Sequence, residues 1–321
     1  MAKKRKPVAV KQDKGETGLL LHLIKVVGAT VILVAVVLLI GLAVLILIPV
    51  RGPDVKTTRV TKTPTAGDIV FEVYPREQKP PSPPLTGDDA GAMPDATGSK
   101  PSIAIIIDDI GYDRAIAKRL IALDPALTLS ILPFSPFNRE IAAAARNAGL
   151  EIMLHLPMEP MEYPAIDPGP GVLLTTMAPD TLLRNLENDI ADVPYIKGVN
   201  NHMGSKLTAE SIQLYQIFSV LKKRGLFFID SCTTEKSLCE PSAGKLRVPF
   251  ARRDIFLDNS LSEADIKRQL DLLLDIARHE GSAIGIAHPH PETCKVLEQT
   301  LPSLRNQARL VPVSNLIQTA D

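Results

Sequence analysis

Residues 103–111 read Ile-Ala-Ile-Ile-Ile-Asp-Asp-Ile-Gly, a continuous aliphatic run that ends in two adjacent carboxylates. A short apolar run bounded by polar residues is typical of a β-strand that is buried on both faces. Charged side chains placed directly after such a strand are costly to bury unless they have partners. The stretch therefore predicts a central strand whose carboxyl end carries polar chemistry.

Six further segments predict strands, and apolar stripes between them predict helices. The strands are predicted at 127–132, 150–156, 198–203, 227–229, 283–287 and 310–313, and the helices at 136–149, 179–193, 208–224 and 262–280. Alternating strands and helices predict a parallel sheet with right-handed crossovers. Both an open doubly wound sheet and a (β/α) barrel fit this pattern. No Gly-rich phosphate turn follows the first strand, which argues against a dinucleotide site.

The charge of the chain is unevenly distributed. The 36 basic and 36 acidic residues balance, but residues 1–25 carry a net charge of +5 and residues 101–321 a net charge of −5. A mildly acidic main body argues against a nucleic-acid partner. An apolar content of 45% excludes a disordered chain, and only three cysteines exclude a disulfide-dense scaffold.

Residues 26–50 contain no charged side chain and predict a membrane anchor. A helix of this length spans about 37 Å, more than the roughly 30 Å hydrocarbon core of a bilayer. A cleaved signal peptide has a shorter apolar region and a small-residue cleavage site, which this segment lacks. The larger basic excess lies before the span and predicts a cytoplasmic N-terminus. We therefore expect a single-pass protein of the inner (cytoplasmic) membrane, with a basic tail at 1–25 and an extracytoplasmic or periplasmic main domain.

Residues 51–101 hold nine prolines and predict a linker. Proline-rich chain without a core forms an extended, semi-rigid spacer. The main domain is then predicted at 102–318.

Polar side chains gather at the predicted carboxyl ends of the strands, where parallel α/β folds carry their chemistry. They are Asp108, Asp109, His155, Glu159, Asn200, Asn201, His202, Asp230, Ser231, His288 and His290. Because side chains alternate along a strand, we expect Asp108 and Asp109 to point in opposite directions. Asp109 has the alternative role of capping the next helix. A carboxylate and imidazoles with one open position form a typical catalytic Zn²⁺ site.

These motifs resemble the divergent polysaccharide deacetylase family. The matching segments are Ile-Ile-Ile-Asp-Asp-Ile-Gly at 105–111, His-Leu-Pro-Met at 155–158, Gly-Val-Asn-Asn-His-Met-Gly at 198–204, Phe-Ile-Asp-Ser at 228–231 and Ile-Ala-His-Pro-His at 286–290. The resemblance covers the whole main domain, and the Asn-Asn-His-Met-Gly-Ser run is its most specific part. It implies an irregular (β/α) barrel of about seven parallel strands. It also implies a metal-dependent deacetylase that acts on an acetylated envelope polysaccharide.

The resemblance also implies roles for individual residues. Asp108 is the expected general base, and His288 the expected general acid with His290 as the second choice. Asp109 and His155 are two expected ligands of a divalent metal, Zn²⁺ before others.

The third ligand departs from the better-known members of the superfamily, which place a second histidine four residues after the first. Here that position is Glu159. The third ligand is therefore either Glu159 or His202, and we favour His202 because it lies in the most specific motif.

Three further residues are predicted to bind substrate, namely Asn201, Asp230 and Arg252. For Arg252, a solvated surface position is an equal alternative. Cys232 and Cys239 lie seven residues apart in a segment predicted to be extracytoplasmic, where disulfides persist, and predict a disulfide.

The glutamate at position 159 leaves a second function open. A barrel without a complete metal triad could bind glycan or an envelope partner without catalysis, because a fold alone does not establish a reaction.

Overall fold

The computed structural model describes residues 100–317, in which strands and helices alternate. The strands are β1 (Ser102–Ile110), β2 (Thr128–Ile131), β3 (Glu151–Met158), β4 (Gly198–Met203), β5 (Phe227–Asp230), β6 (Phe250–Arg252), β7 (Ile255–Phe256), β8 (Ser282–Ala287) and β9 (Arg309–Leu310). The α-helices are α1 (Arg114–Leu123), α2 (Asn138–Asn147), α3 (Pro179–Asp192), α4 (Ser211–Arg224), α5 (Cys239–Leu246), α6 (Glu263–Glu280) and α7 (Pro291–Gln307). Short 3-10 helices lie at Leu207–Ala209 and Val313–Leu316.

The strands form one curled parallel sheet in the order β6-β5-β4-β3-β2-β1-β8-β7, and β9 pairs with β1. β6 pairs with β5 at one edge, while β7, which follows two residues later, pairs with β8 at the other edge. One short segment therefore contacts both edges of the sheet. This arrangement fits an irregular (β/α) barrel and not an open doubly wound sheet, whose edges lie apart.

Each predicted strand is present, although the one predicted at 310–313 is the two-residue β9 followed by a 3-10 helix. The sequence does not predict β6 and β7. Strands of three and two residues are too short to show a period of two, so hydrophobic alternation cannot reveal them.

Side-chain alternation along the strands builds two apolar clusters on opposite faces of the sheet. In β1, Ile103, Ile105 and Ile107 pack into the large cluster under the helices. Ala104 and Ile106 pack into the smaller cluster, which is built from residues of the strands and the last 3-10 helix and lies on the concave face of the curl. Successive residues of a strand therefore face the helices and the barrel interior in turn. We call this odd or even position of a residue in its strand its parity.

The predicted cytoplasmic tail, the membrane span at 26–50 and the linker at 51–101 lie outside the described residues, apart from the last two linker positions. Every helix within residues 100–317 is too short or too polar to cross a lipid bilayer.

Candidate metal centre

The polar residues at the strand ends continue the alternation that builds the barrel interior. Asp108 lies two residues after the inward-facing Ile106 of β1, and His288 lies two residues after the inward-facing Ile286 of β8. His155 lies two residues after the inward-facing Met153 of β3. These side chains are therefore directed to the concave side at the carboxyl ends of the strands, where active sites of (β/α) barrels lie.

Asp109 breaks the alternation, and the expectation that it points away from Asp108 is wrong. Its parity would place it under the helices, but its backbone takes a left-handed conformation, with φ of 53°. The register between β1 and β2 shifts between Ile107 and Ile110, which is the mark of a bulge. A bulge re-aims a side chain, so both carboxylates line the same cavity. Asp113, and not Asp109, caps helix α1.

Asp109, His155 and His202 bring three ligand atoms together. Asp109 Oδ1 lies 3.0 Å from His155 Nε2 and 3.0 Å from His202 Nδ1, and the two nitrogens are 3.1 Å apart. All three side chains are buried. Three ligands at tetrahedral angles and about 2.0 Å from a Zn²⁺ ion lie about 3.3 Å from one another. The triangle therefore has nearly the size of one face of a zinc coordination sphere.

The Nδ1–H tautomer of His155 makes this triangle fit a cation. His155 Nδ1 lies 2.9 Å from the amide oxygen of Asn200 and donates its proton there, so in the neutral form of the ring Nε2 carries the lone pair that a metal needs. Burial alone would lower the pKa of His155, but the carboxylates of Asp108 and Asp109 raise it, so a bound cation has to displace the proton on Nε2. The Nε2 lone pair faces the carboxylate of Asp109, neither oxygen of which accepts a hydrogen bond of normal geometry from any residue between 100 and 317. A divalent cation between them satisfies both groups, and the set of one carboxylate and two imidazoles suits Zn²⁺. Burial alone would raise the pKa of Asp109, but the two imidazoles hold it well below its usual range.

A small cavity opens beside the three ligand atoms. Its volume is about 20 Å³, enough for about one water molecule. Its lining residues are Asp108, Asp109, His155, Asn201, His202, Met203, Ser231, Thr233, Phe256 and His288. A reacting group placed there meets the carboxylate of Asp108 and the imidazole of His288 together with the cation site.

Asp108 lies next to the triangle without belonging to it. Its Oδ2 is 3.7 Å from His155 Nε2, and both of its oxygens accept hydrogen bonds from Asn200 Nδ2, at 2.8 and 3.0 Å. Burial raises the pKa of Asp108 above its ordinary value. A carboxylate with a raised pKa is a stronger base, which suits proton abstraction.

His288 is held by the buried carboxylate of Asp258, which follows the neighbouring strand β7. Its backbone N–H donates to Asp258 Oδ2 at 2.6 Å, and its Nδ1 lies 2.9 Å from Asp258 Oδ1. Thr293 donates its hydroxyl proton to the same carboxylate at 2.8 Å. Burial alone would lower the pKa of His288, but the negative charge of Asp258 raises it to about 9. His288 is therefore protonated at neutral pH and able to donate a proton.

The sequence profile of the divergent polysaccharide deacetylase family matches residues 105–317, about two thirds of the chain. The chain belongs to this family.

Two bacterial proteins are similar to this chain at the level of sequence. The chain is 37% identical to the uncharacterized protein YibQ of Escherichia coli K12 over 215 residues, which cover 67% of each protein. It is 35% identical to an uncharacterized protein of Haemophilus influenzae over 216 residues, which cover 67% of this chain and 76% of that one.

A crystal structure of an uncharacterized protein from Agrobacterium tumefaciens C58 shares the fold. The two structures superpose with a TM-score of 0.65 at 29% sequence identity, over 69% of this chain and 91% of that one. The fold described above is therefore also that of the Agrobacterium protein.

Glu159, the alternative third ligand, does not belong to the triangle and has other partners. Its Oε1 accepts from Lys206 Nζ at 2.7 Å and its Oε2 from the backbone N–H of Thr175 at 2.6 Å. Burial alone would raise the pKa of Glu159, but these two donors lower it. The carboxylate instead joins the loop after β3 to the loop after β4.

Two of the predicted substrate-binding residues have structural contacts. Asn201 lines the cavity, but its side chain donates to the backbone oxygen of Met203 and accepts from the backbone N–H of Ser231, at 2.7 and 2.9 Å. Asp230 has the opposite parity to the inward-facing Ile229. Its carboxylate accepts from the N–H of Cys232 and the hydroxyl of Ser237, and it is absent from the cavity lining. Asp230 therefore lies outside the lining of this cavity, and its binding to substrate stays a prediction.

Arg252 and His290 also lie outside the cavity lining. Arg252 neighbours the concave-face residue Ala251 and so has the outward parity; it is exposed and pairs with Glu240 at 3.5 Å. Arg252 thus occupies a solvated surface position, the alternative that the sequence offered to substrate binding.

The ring of His290 lies 6.2 Å from that of His288, and burial lowers the pKa of His290. His288 is therefore the better-placed acid.

The predicted disulfide between Cys232 and Cys239 is not formed. All three cysteines of the chain are free thiols. Cys232 Sγ is directed to the backbone oxygens of Asp230 and Arg253, at 3.4 and 3.9 Å, while Cys239 is fully buried at the start of α5. Burial raises the pKa of both thiols. Spacing in sequence does not fix the direction of two Cβ–S bonds, and a disulfide requires it.

Sequence reasoning places Asn200 at a strand end without a role, and it misses Asp258. The role of Asn200 follows only from the residues that β1, β2 and β3 place beside it. Asp258 follows the two-residue β7, where the sequence has no periodic signal. An acidic residue after a short apolar pair, Phe256-Leu257, is the one sequence feature that marks it.

Proposed function

We propose that this protein is a metal-dependent deacetylase that removes acetyl groups from an envelope polysaccharide. The observation that carries the proposal is the convergence of five buried side chains on one cavity at the strand ends: Asp108, Asp109, His155, His202 and His288. Membership of the divergent polysaccharide deacetylase family supports the substrate class.

Asp109, His155 and His202 are the residues that hold the metal in this proposal, with Zn²⁺ as the preferred ion. Such an ion polarises an acyl carbonyl and lowers the pKa of a water molecule. The cavity beside the three ligand atoms has room for about one water.

Asp108 and His288 divide the proton transfers between them. Asp108 accepts the proton of the attacking water, and its raised pKa suits that task. His288 donates a proton to the departing amine of an N-acetyl sugar, or to the departing alcohol of an acetyl ester. Its pKa of about 9 keeps it protonated at neutral pH. The two groups line the same cavity, so one bound substrate can meet both.

No observation in residues 100–317 favours the alternative of an inactive glycan-binding barrel. That alternative depends on the glutamate at position 159, where the better-known members have a histidine. His202 supplies the third ligand, the second imidazole of the set, from the neighbouring strand, and Glu159 is engaged elsewhere.

The location of the protein is part of the proposal and depends on the sequence. The uncharged span at 26–50, the basic tail before it and the proline-rich linker after it support a single-pass anchor in the inner (cytoplasmic) membrane. The linker then holds the catalytic domain on the extracytoplasmic side, near an envelope polysaccharide.

Acetate release by the purified full-length chain in detergent, supplied with Zn²⁺, tests this function. The substrates are acetylated glycans, one set with N-acetyl and one with O-acetyl groups, and the matched control is Asp108→Asn. We expect turnover by the wild type and a rate at least about 100-fold lower for the variant. Wild-type rates no higher than those of Asp108→Asn on every substrate contradict the proposal. Glycan binding that survives in Asp108→Asn with His202→Ala would then favour the binding protein.

A further inference from the structure

Asn200 connects two residues that have different tasks in the proposed site. It lies in β4 and is fully buried. Its Nδ2 donates to both oxygens of Asp108, at 2.8 and 3.0 Å. Its Oδ1 lies 2.5 Å from Ser130 Oγ and 2.9 Å from His155 Nδ1.

The chemistry of its neighbours fixes which end of the Asn200 amide faces which residue. A carboxylate can only accept hydrogen bonds, so the NH₂ group faces Asp108. The amide oxygen then faces the other two groups and accepts from both. The Ser130 hydroxyl donates one of these bonds, and His155 must carry its proton on Nδ1 to donate the other. His155 Nε2 is left with its lone pair directed at Asp109 and His202.

We propose that Asn200 is a positioning residue that sets the tautomer of His155 and the orientation of the Asp108 carboxylate at the same time. One side chain thereby prepares a metal ligand with its oxygen and orients the general base with its nitrogen. This inference rests on the proposed function.

The neighbouring asparagine shows that such contacts are not a general feature of buried amides in this strand. The Asn201 side chain bonds to the backbone of Met203 and Ser231, and so stabilises the strand ends. Asn200 bonds to side chains of Ser130, His155, Asp108 and Ser231, the last at 3.3 Å. Hydrogen bonds that orient metal ligands affect metal affinity or activity by about 10–100-fold.

Two substitutions separate the two ends of the amide. Asn200→Ala removes both, whereas Asn200→Asp keeps an oxygen that accepts from His155 and replaces the NH₂ donor with a second negative oxygen facing Asp108. The full-length chain in detergent is titrated with Zn²⁺ against a chelating dye, and kcat and KM are measured for acetate release. We expect Asn200→Ala to weaken Zn²⁺ binding about 10–100-fold. We expect Asn200→Asp to bind Zn²⁺ at or above the wild-type affinity, yet to lose kcat about 10–100-fold with little change in KM.

Equal loss of Zn²⁺ affinity in the two variants overturns the inference, and so does an Asn200→Asp variant with wild-type kcat. A purely structural asparagine would lower folding stability in both variants without separating metal affinity from kcat. If circular dichroism shows that Asn200→Asp does not fold, Ser130→Ala replaces it, with Ser242→Ala as a matched buried serine outside the cavity lining. Weaker Zn²⁺ binding in Ser130→Ala than in Ser242→Ala supports the inference, and equal binding overturns it.

The Zn²⁺ titrations need no turnover, so they separate this inference from the proposed function. If every variant and the wild type release no acetate, the proposed function fails. A difference in Zn²⁺ affinity between Asn200→Ala and Asn200→Asp still supports the role of Asn200 toward His155, and the lack of such a difference overturns it.

Discussion

The carboxylate of Asp258 accepts two hydrogen bonds from one residue, His288, through its backbone N–H at 2.6 Å and its Nδ1 at 2.9 Å. Both side chains are buried, and the negative charge of Asp258 raises the pKa of His288 to about 9. The pair fixes the direction of the ring and places its proton donor at the cavity. With Nδ1–H donated to Asp258, the proton on Nε2 of the charged ring is the one that can pass to substrate.

The first prediction concerns the pH dependence of activity in Asp258→Asn. A general acid must be protonated, so the wild-type rate falls as pH rises through about 9. Without the negative charge of Asp258, burial lowers the pKa of His288, so the basic limb of the profile moves to lower pH by about one unit or more. The measurement is kcat/KM for acetate release between pH 6 and pH 10.

Thr293→Val gives a graded control for this prediction. It removes one donor from Asp258 but leaves the charge in place, so its basic limb stays near that of the wild type. If Asp258→Asn keeps the wild-type limb, His288 is not the acid.

The second prediction separates the general base from the metal ligands. Asp108→Asn should lower kcat by about 10²–10⁴-fold, because the amide cannot accept the proton of water. Its Zn²⁺ content should stay at the wild-type level, since Asp108 is not one of the three converging ligands. Asp113→Asn is the control: it changes an aspartate that caps α1 at the surface and should leave kcat unchanged. A variant Asp108→Asn that loses its metal would move Asp108 into the ligand set.

The third prediction concerns a buried carboxyl outside the site. Asp189 is fully buried in α3, neither of its oxygens has a hydrogen-bond partner among the described residues, and burial together with Asp192 raises its pKa to about 8. Between its ordinary pKa and about 8, the folded protein holds a proton that the unfolded chain has lost. Stability therefore falls as pH rises, by about 1.4 kcal/mol per pH unit from this group.

Asp189→Asn replaces the carboxyl group with an amide that does not titrate. The fall in stability that the raised pKa of Asp189 causes should therefore disappear. Thermal unfolding of the wild type and the variant is compared from pH 5 to pH 8. We expect the Tm values to converge at low pH and the variant to be more stable at pH 8. Tm curves that stay parallel across this range would show that Asp189 finds a partner.

The fourth prediction concerns the thiols. Because Cys232, Cys239 and Cys294 are free, alkylation of the unfolded protein without a reductant should add three groups, counted by intact mass. In the folded protein, Cys239 should react slowly because it is buried and its pKa is raised well above the ordinary value. If only one group is added to the unfolded, unreduced chain, two of the cysteines form a disulfide and the prediction is contradicted.

The strand ends were the part of the site that the sequence could predict. Aliphatic runs that stop at Asp108 and His155 identify parallel strands, and parallel strands bring their carboxyl ends to one edge. The same reasoning could not separate inward from outward residues at those ends. Parity does so once the core is known, and it explains why Asp230 and Arg252 point away from the cavity.

Other features depend on backbone detail or on distant packing. The inward turn of Asp109 requires a left-handed φ, which an aspartate adopts without a sequence signal. The partner of His288 comes from a loop 30 residues away. Glu159 is at the position where the better-known members have a ligand, but Lys206 and the N–H of Thr175 hold it elsewhere.

The metal content of three purified proteins tests the central claim most directly. The wild type, His202→Ala and the matched variant Glu159→Gln are supplied with Zn²⁺ at neutral pH, dialysed and measured by elemental analysis. With Asp109, His155 and His202 as the ligands, the wild type and Glu159→Gln hold close to one zinc per chain, and His202→Ala loses it. Zinc retained in His202→Ala but lost in Glu159→Gln, or a wild type that holds none, would contradict the account.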